Sequence, residues 1–147
     1  MIVEIKEIIQ QNQSASYIQY IKEQMIRLYQ QLSKCEDLPT NVFLNIIQYN
    51  PIFVDVDEKY NVRGSITVVV ERKMLRGGKF VAHIEDLVVD AAHRGQGIGK
   101  KLLTYAIEFA KNIDCYKVIL NCTSELVPFY ETNGFQQKNI EMSLYFE

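Results

Sequence analysis

The 147-residue sequence predicts one α+β domain, residues 1–147, in which helices flank a mostly antiparallel sheet. Two stretches carry apolar residues at steps of three and four: Ile18, Ile21, Met25, Leu28 and Leu32, and later Leu102, Leu103, Ala106, Phe109, Ala110 and Ile113. Between them "PIFVDVD", "GSITVVVERK" and "FVAHIEDLVV" have strand character and are separated only by turn-length segments. No repeat, low-complexity tract or linker divides the chain.

Taken in order, Val3 and Ile5 alternate with Glu4 and Lys6, which predicts a short first strand. The first apolar stripe predicts a helix, capped by Ser14 or Ser16. "LPTNVFLNII" predicts a shorter helix after Pro39, capped by Thr40 or Asn41. "EKYN" and "LRGGK" are turns, the latter through Gly77 and Gly78. The second stripe predicts a helix ending near Asn112, and "YKVILNC" a strand covered on both faces. "SELVPFYETNGF" predicts a short helix stopped at Asn133-Gly134, and Met142, Leu144 and Phe146 alternate as a closing strand.

Composition narrows the function. Hydrophobic residues make up 48%, and 16 basic against 18 acidic residues give a net charge of −2, so no basic field argues for nucleic acid. No apolar run approaches the ~20 residues of a membrane helix. Cys35, Cys115 and Cys122 form no CxxC pair and leave one over in any pairing, so reduced thiols and a cytoplasmic location are expected. Neither Cys122 nor the pair His83 and His93 fits a covalent-acyl or metal motif, so no metal is expected.

The chemistry concentrates in "VVDAAHRGQGIGKKLL". Gly95, Gly97 and Gly99 lie between a strand and a helix, where absent side chains and free N–H groups suit an anion. A dinucleotide fingerprint fails because Lys100 stands in place of its third glycine. A P-loop fails because Lys101 replaces Ser or Thr and Arg94 replaces the first glycine.

Arg94-x-x-Gly97-x-Gly99 does resemble the pyrophosphate loop of the GNAT superfamily of N-acetyltransferases, which implies the GNAT fold and acetyl-CoA as cosubstrate. "AHIEDLVVDAAHRGQGIGKKLL", "CYKVILNC" and "FYETNGF", with "IQYNP" and "VVVERK" before them, resemble the glucosamine 6-phosphate N-acetyltransferase family from about Leu32 onward. The resemblance implies direct acetyl transfer to the 2-amino group of glucosamine 6-phosphate, a step toward UDP-N-acetylglucosamine. Two alternatives stay open: a GNAT enzyme for another amine such as a peptide or polyamine, and a CoA-binding module without turnover.

By the same resemblance Arg94, Gly95, Gln96, Gly97, Ile98, Gly99 and Lys100 hold the diphosphate, while the main chain of Leu87, Val88 and Val89 pairs with the pantetheine arm. Tyr130, with a phenol pKa of ~10, would protonate the departing sulfur, Phe129 beside it being the core residue. Glu85 and Asp86 would contact the sugar and its amine; as strand neighbours they are expected on opposite faces. Ser33, Lys73, Arg76, Tyr116 and Lys117 correspond to the family's sugar and phosphate contacts. Asn121 stands where an acidic residue is frequent near amine and thioester, and an amide cannot accept a proton. Leu126 replaces an asparagine near CoA, and Tyr145 a C-terminal arginine reaching the phosphate. The family's intertwined homodimer implies that the C-terminal strand completes the partner's site.

Overall fold

A computed structural model describes all residues 1–147. Five strands form one sheet in the order β1 (Ile2–Glu4), β2 (Ile52–Val56), β3 (Val62–Arg72), β4 (Phe80–Val89) and β5 (Cys115–Ile119). The first four pair antiparallel, and β5 joins β4 in parallel. A parallel neighbour needs a crossover, which is supplied by the glycine loop and helix α4 (Ile98–Asn112). Helices α1 (Ile5–Gln11), α2 (Ala15–Tyr29) and α3 (Thr40–Tyr49) precede β2, and α5 (Val127–Thr132) follows β5.

Alternation along β2 divides the core. Ile52, Val54 and Val56 face a cluster built with Ile5, Ile8 and Ile9 of α1, Ile18, Ile21 and Met25 of α2, and Phe43 and Ile47 of α3. Phe53 faces the other cluster, with Ile66, Val68, Ala82 and Ile84 of the sheet, Leu102, Leu103 and Ala106 of α4, and Tyr130 of α5. Asp55 is buried on that same alternation, and both Nε and an Nη of Arg63 approach its carboxylate at 2.7 Å. A forked guanidinium is the partner that makes a buried carboxylate tolerable.

Several local expectations change. The first strand stops at Glu4, and Ile5 opens α1 instead, because Ile5, Ile8 and Ile9 share one helical face and are buried together. Ser14 caps α2 by accepting from the Tyr17 N–H, as expected. Leu32 lies past the helix end and is exposed. In α3 the cap position is Pro39, with no side-chain hydrogen bond, and Thr40 is the first helical residue. The strand covered on both faces is β2; β5 is an edge strand and only partly buried. No closing strand forms: Met142, Leu144 and Phe146 lie outside any strand at 93%, 79% and 95% exposure. A strand needs a neighbour to satisfy its N–H and C=O groups, and this chain offers the tail none.

Gly64 sets how closely α4 approaches the sheet. A Cβ there would sit 3.0 Å from Leu102 Cδ1, 3.1 Å from Ile98 Cγ2 and 3.2 Å from the Val88 carbonyl. Gly64→Val should therefore lower unfolding free energy by about 1–3 kcal/mol through overpacking. Urea denaturation reads this; unchanged stability would mean that α4 shifts freely.

Candidate active site

Two departures from regular pairing shape the site. Pairing of β4 with β5 ends at His83 and Ile119, while β4 runs on to Val89. On that side the main chain of Ile84–Val89 has no strand neighbour, so the two strands part into a cleft. On the other side, Ser65 pairs with Val88 but Thr67 pairs with Glu85. Ile66 thus opposes both Asp86 and Leu87, a bulge in β4. Asp86 carries φ 50°, a left-handed conformation that Asp tolerates better than most residues.

The bulge overturns the expectation that Glu85 and Asp86 face opposite ways. Both line one cavity of about 360 Å3, with Tyr29, Ile46, Asn50, Ile52, Thr67 and Val69. A neighbouring depression of about 420 Å3, lined by Val69, Val70, Glu71, His83 and Glu85, continues it. Glu85 and Asp86 are both exposed at the cavity rim, yet partial desolvation pushes the Glu85 carboxyl above the usual glutamate range; the Asp86 charge pushes it further, His83 partly offsets this, and Glu141 adds a little. Beneath, the Tyr29 hydroxyl lies 3.2 Å from Ser65 Oγ, and burial raises its phenol. Tyr29 and Thr67 are cavity residues that sequence reasoning missed, since Tyr29 adjoins the apolar stripe and carries no motif.

On the far side of the cleft the glycine loop joins β4 to α4, where the sequence predicts it. Gly95 and Gly97 have φ of 80° and 78°, with open space where each Cβ would lie. Gly97 caps α4 without a side-chain hydrogen bond, leaving first-turn N–H groups to face outward. Gly99 packs near Val89 Cγ2 and the Phe129 ring, joining loop, strand and α5. Arg94 Nε donates to the Val89 carbonyl at 3.1 Å, folding the loop back on β4. Gln96 and Lys100 are exposed. Ile98 is buried in the core, so it can serve a ligand only through its N–H. Val88 is buried too, and Leu87 and Val89 pack against the same core.

Tyr130 is the core member of its aromatic pair, 8% exposed against a half-buried Phe129, which reverses the assignment of core residue. Its ring lies edge-on to Phe129 at 5.0 Å and Phe135 at 5.8 Å. Packing thereby fixes the ring, while no protein group hydrogen-bonds to the hydroxyl. Burial raises the phenol above its ordinary value, with Cys122 adding to the effect, so it stays protonated at neutral pH.

The expected cations gather around Tyr116. Arg76, itself at φ 56°, and Lys117 lie 5.3 and 5.6 Å from the ring centre. Lys73 is held apart on Glu71 at 3.4 Å, and His83 Nε2 approaches the same carboxylate oxygen at 3.1 Å. Ser33, in the turn after α2, and Asn121, after β5, are exposed and no side-chain hydrogen bond ties either to these groups. Leu126 is exposed, as is Tyr145 in the tail.

One end of this cleft can receive an anionic, extended ligand along β4 and the glycine loop, and the other a small cationic or amino compound beside two carboxyls. Known proteins share the arrangement. The Acetyltransferase (GNAT) family pattern matches residues 8–135. The Probable glucosamine 6-phosphate N-acetyltransferase 2 of Oryza sativa subsp. japonica is 38% identical over 131 residues, 82% of this chain and 79% of the relative. Glucosamine 6-phosphate N-acetyltransferase 1 of the same plant is 52% identical over 79 residues, 54% of this chain and about half, 48%, of that relative. The crystal structure of glucosamine-6-phosphate N-acetyltransferase from Arabidopsis thaliana superposes with a TM-score of 0.85 at 31% identity, covering 100% of this chain and 98% of that one. The five-stranded mixed sheet, the parting of β4 from β5 and the glycine loop at the start of α4 are thus the frame of an acyltransferase, and the chain belongs to the acetyltransferase (GNAT) family.

Proposed function

We propose that the chain transfers the acetyl group of acetyl-CoA directly to the 2-amino group of D-glucosamine 6-phosphate, giving N-acetylglucosamine 6-phosphate and CoA. The observation that carries this reading is the pairing of two sites along one strand: an acidic cavity at Glu85 and Asp86, and a glycine-rich helix start after Val89. The names of the relatives supply the acceptor.

Each half of the reaction then has a group to perform it. The diphosphate meets the N–H groups of Gly95–Lys100 and the positive end of α4, with Arg94, Gln96 and Lys100 around it. The main chain of Leu87–Val89 pairs with the pantetheine arm and offers N–H groups to the carbonyl oxygen as it becomes anionic. The sugar ammonium sits against Glu85 and Asp86. Glu85 takes its proton, directly or through water, and the freed amine lone pair attacks the thioester carbon. Collapse breaks the C–S bond, Tyr130 hands its proton to the leaving thiolate, and the proton shed by the new amide nitrogen returns to the Tyr130 phenolate through water. Asn121, unable to act as a base, orients polar groups at the thioester. Arg76, Lys73 and Lys117 meet the 6-phosphate, with Tyr116 and Ser33 beside the sugar.

The exposed, alternating tail from Met142 to Phe146 suits strand exchange with a second copy, so we further propose a homodimer in which the tail completes the partner's site. The three free thiols fit a reducing compartment such as the cytosol.

Thiol release from acetyl-CoA should proceed with glucosamine 6-phosphate and fall on the order of 10- to 100-fold in kcat/KM with glucosamine, the value of a charge-assisted phosphate contact. Arg76→Ala and Lys117→Ala should reproduce that loss with the phosphorylated sugar and leave the glucosamine rate alone. Equal rates on both sugars would assign the enzyme to another amine, and CoA binding without product would make it a binding module.

The rate should drop at low pH as Glu85 gains its proton, at a pH above the ordinary glutamate range. Glu85→Gln should abolish that limb and reduce kcat/KM about 100-fold, whereas Tyr130→Phe should lower kcat about as much and keep the limb. Because the folded chain holds this proton more tightly than the unfolded one, Glu85 favours folding only while protonated, and that contribution is lost as pH rises through its raised pKa. Glu85→Gln should therefore melt no lower than the parent at pH 7, the difference closing below pH ~4.5. An unchanged acid limb in that variant would exclude Glu85 as the base.

Sedimentation at micromolar concentration should give a dimer, and removal of residues 136–147 should reduce it to a monomer; a parent chain that sediments as a monomer rejects the exchange.

A further inference from the structure

The root of the glycine loop is held by one side chain from the opposite face of the sheet. Gln31, just past the end of α2, donates from Nε2 to Asp90 Oδ1 at 2.7 Å. Its Oε1 accepts from the Ala91 N–H at 2.8 Å. The other Asp90 oxygen lies 2.9 Å from His93 Nδ1, and the His93 N–H donates to the Asp90 carbonyl at 2.8 Å. The Asp90 N–H donates in turn to the Arg63 carbonyl. The donors on Asp90, Gln31 first and His93 second, hold its carboxyl below the usual range, so it accepts as a carboxylate. The turn that delivers the chain to Arg94 is thus pinned at Asp90, Ala91 and His93, and Gln31 supplies two of the long-range bonds.

A surface loop left free loses entropy when it closes on a ligand, and a loop fixed beforehand does not. We infer that Gln31 is a positioning residue for the coenzyme: by clamping Asp90 and Ala91 it presets the glycine loop in its diphosphate-binding shape. This rests on the proposal that the loop holds CoA. The same end of α2 carries Tyr29, which lines the acidic cavity. The end of α2 therefore contacts both the acidic cavity and the root of the glycine loop.

The test is calorimetry with CoA on the full chain. Gln31→Ala should weaken binding about tenfold, the value of a bond to a charged acceptor. Acetyl-CoA kinetics should place that loss on KM with little change in kcat. Gln31→Glu should bind as weakly, since its carboxylate opposes Asp90. Adding Asp90→Asn to Gln31→Glu reverses donor and acceptor, the new side-chain amide at position 90 donating to the new carboxylate at position 31. That double variant should restore affinity to within about threefold of the parent. Affinity within twofold of the parent in Gln31→Ala, or a double variant no better than Gln31→Glu, would overturn the role of Gln31. A parent chain that binds no CoA would instead remove the coenzyme reading itself.

Discussion

Pairing between β4 and β5 stops halfway along β4, and the rest of the molecule is arranged around the edge this exposes. Backbone N–H and C=O groups do not stay unpaired at no cost. Ordinarily an open edge is covered by another strand or by a helix. Here α4 packs behind it, and its start, with no side-chain cap at Gly97, lies close to the end of β4, where Gly99 adjoins Val89. Two sets of outward N–H groups, one on a strand and one on a helix, therefore converge where an extended acyl thioester with a diphosphate would lie. Gly64 enforces that convergence from below by letting Leu102 and Ile98 close on β3.

The bulge at Asp86 and Leu87 acts on the other side of the same strand. A regular β4 would send Glu85 and Asp86 to opposite faces and leave only one carboxyl for an amine. The extra residue places both at one cavity, where partial desolvation, with the Asp86 charge second, raises the Glu85 carboxyl above the ordinary glutamate range even though its side chain is exposed. A cation entering the cavity would relieve the repulsion between the two carboxyls. Beneath the cavity Tyr29 bonds to Ser65, and on the opposite face of β2 Asp55 pairs with Arg63. Arg76, Tyr116 and Lys117 assemble from a turn and a strand far apart in sequence, so that positive charge gathers apart from the acidic pair.

Much of this is legible in the sequence itself. The stripes of α2 and α4, the strands β2, β3 and β4 and the halt at Asn133-Gly134 follow from period and turn chemistry, which are local properties. The glycine loop was legible too, because its requirement for positive φ and open space can be met by few residues. Motif resemblance singled out Glu85, Asp86 and Tyr130 as candidates. Gln31, Tyr29 and Thr67 escaped it, for a glutamine or a hydroxyl on a helix or strand has no local signature.

Sequence alone determined which segments become helices and strands, where the glycine loop falls and which side chains have the chemistry for acyl transfer, since each depends on neighbours a few positions away. Tertiary structure decided the rest. Ile5 begins a helix because a core waits for it, β5 is an edge, and the tail finds no partner within its own chain. Asp86 turns toward Glu85 because β3 offers one residue against two, and Tyr130 takes the core position because Phe135 and Phe129 box it in. These outcomes depend on which surfaces meet across the fold, and no stretch of residues read by itself contains that information.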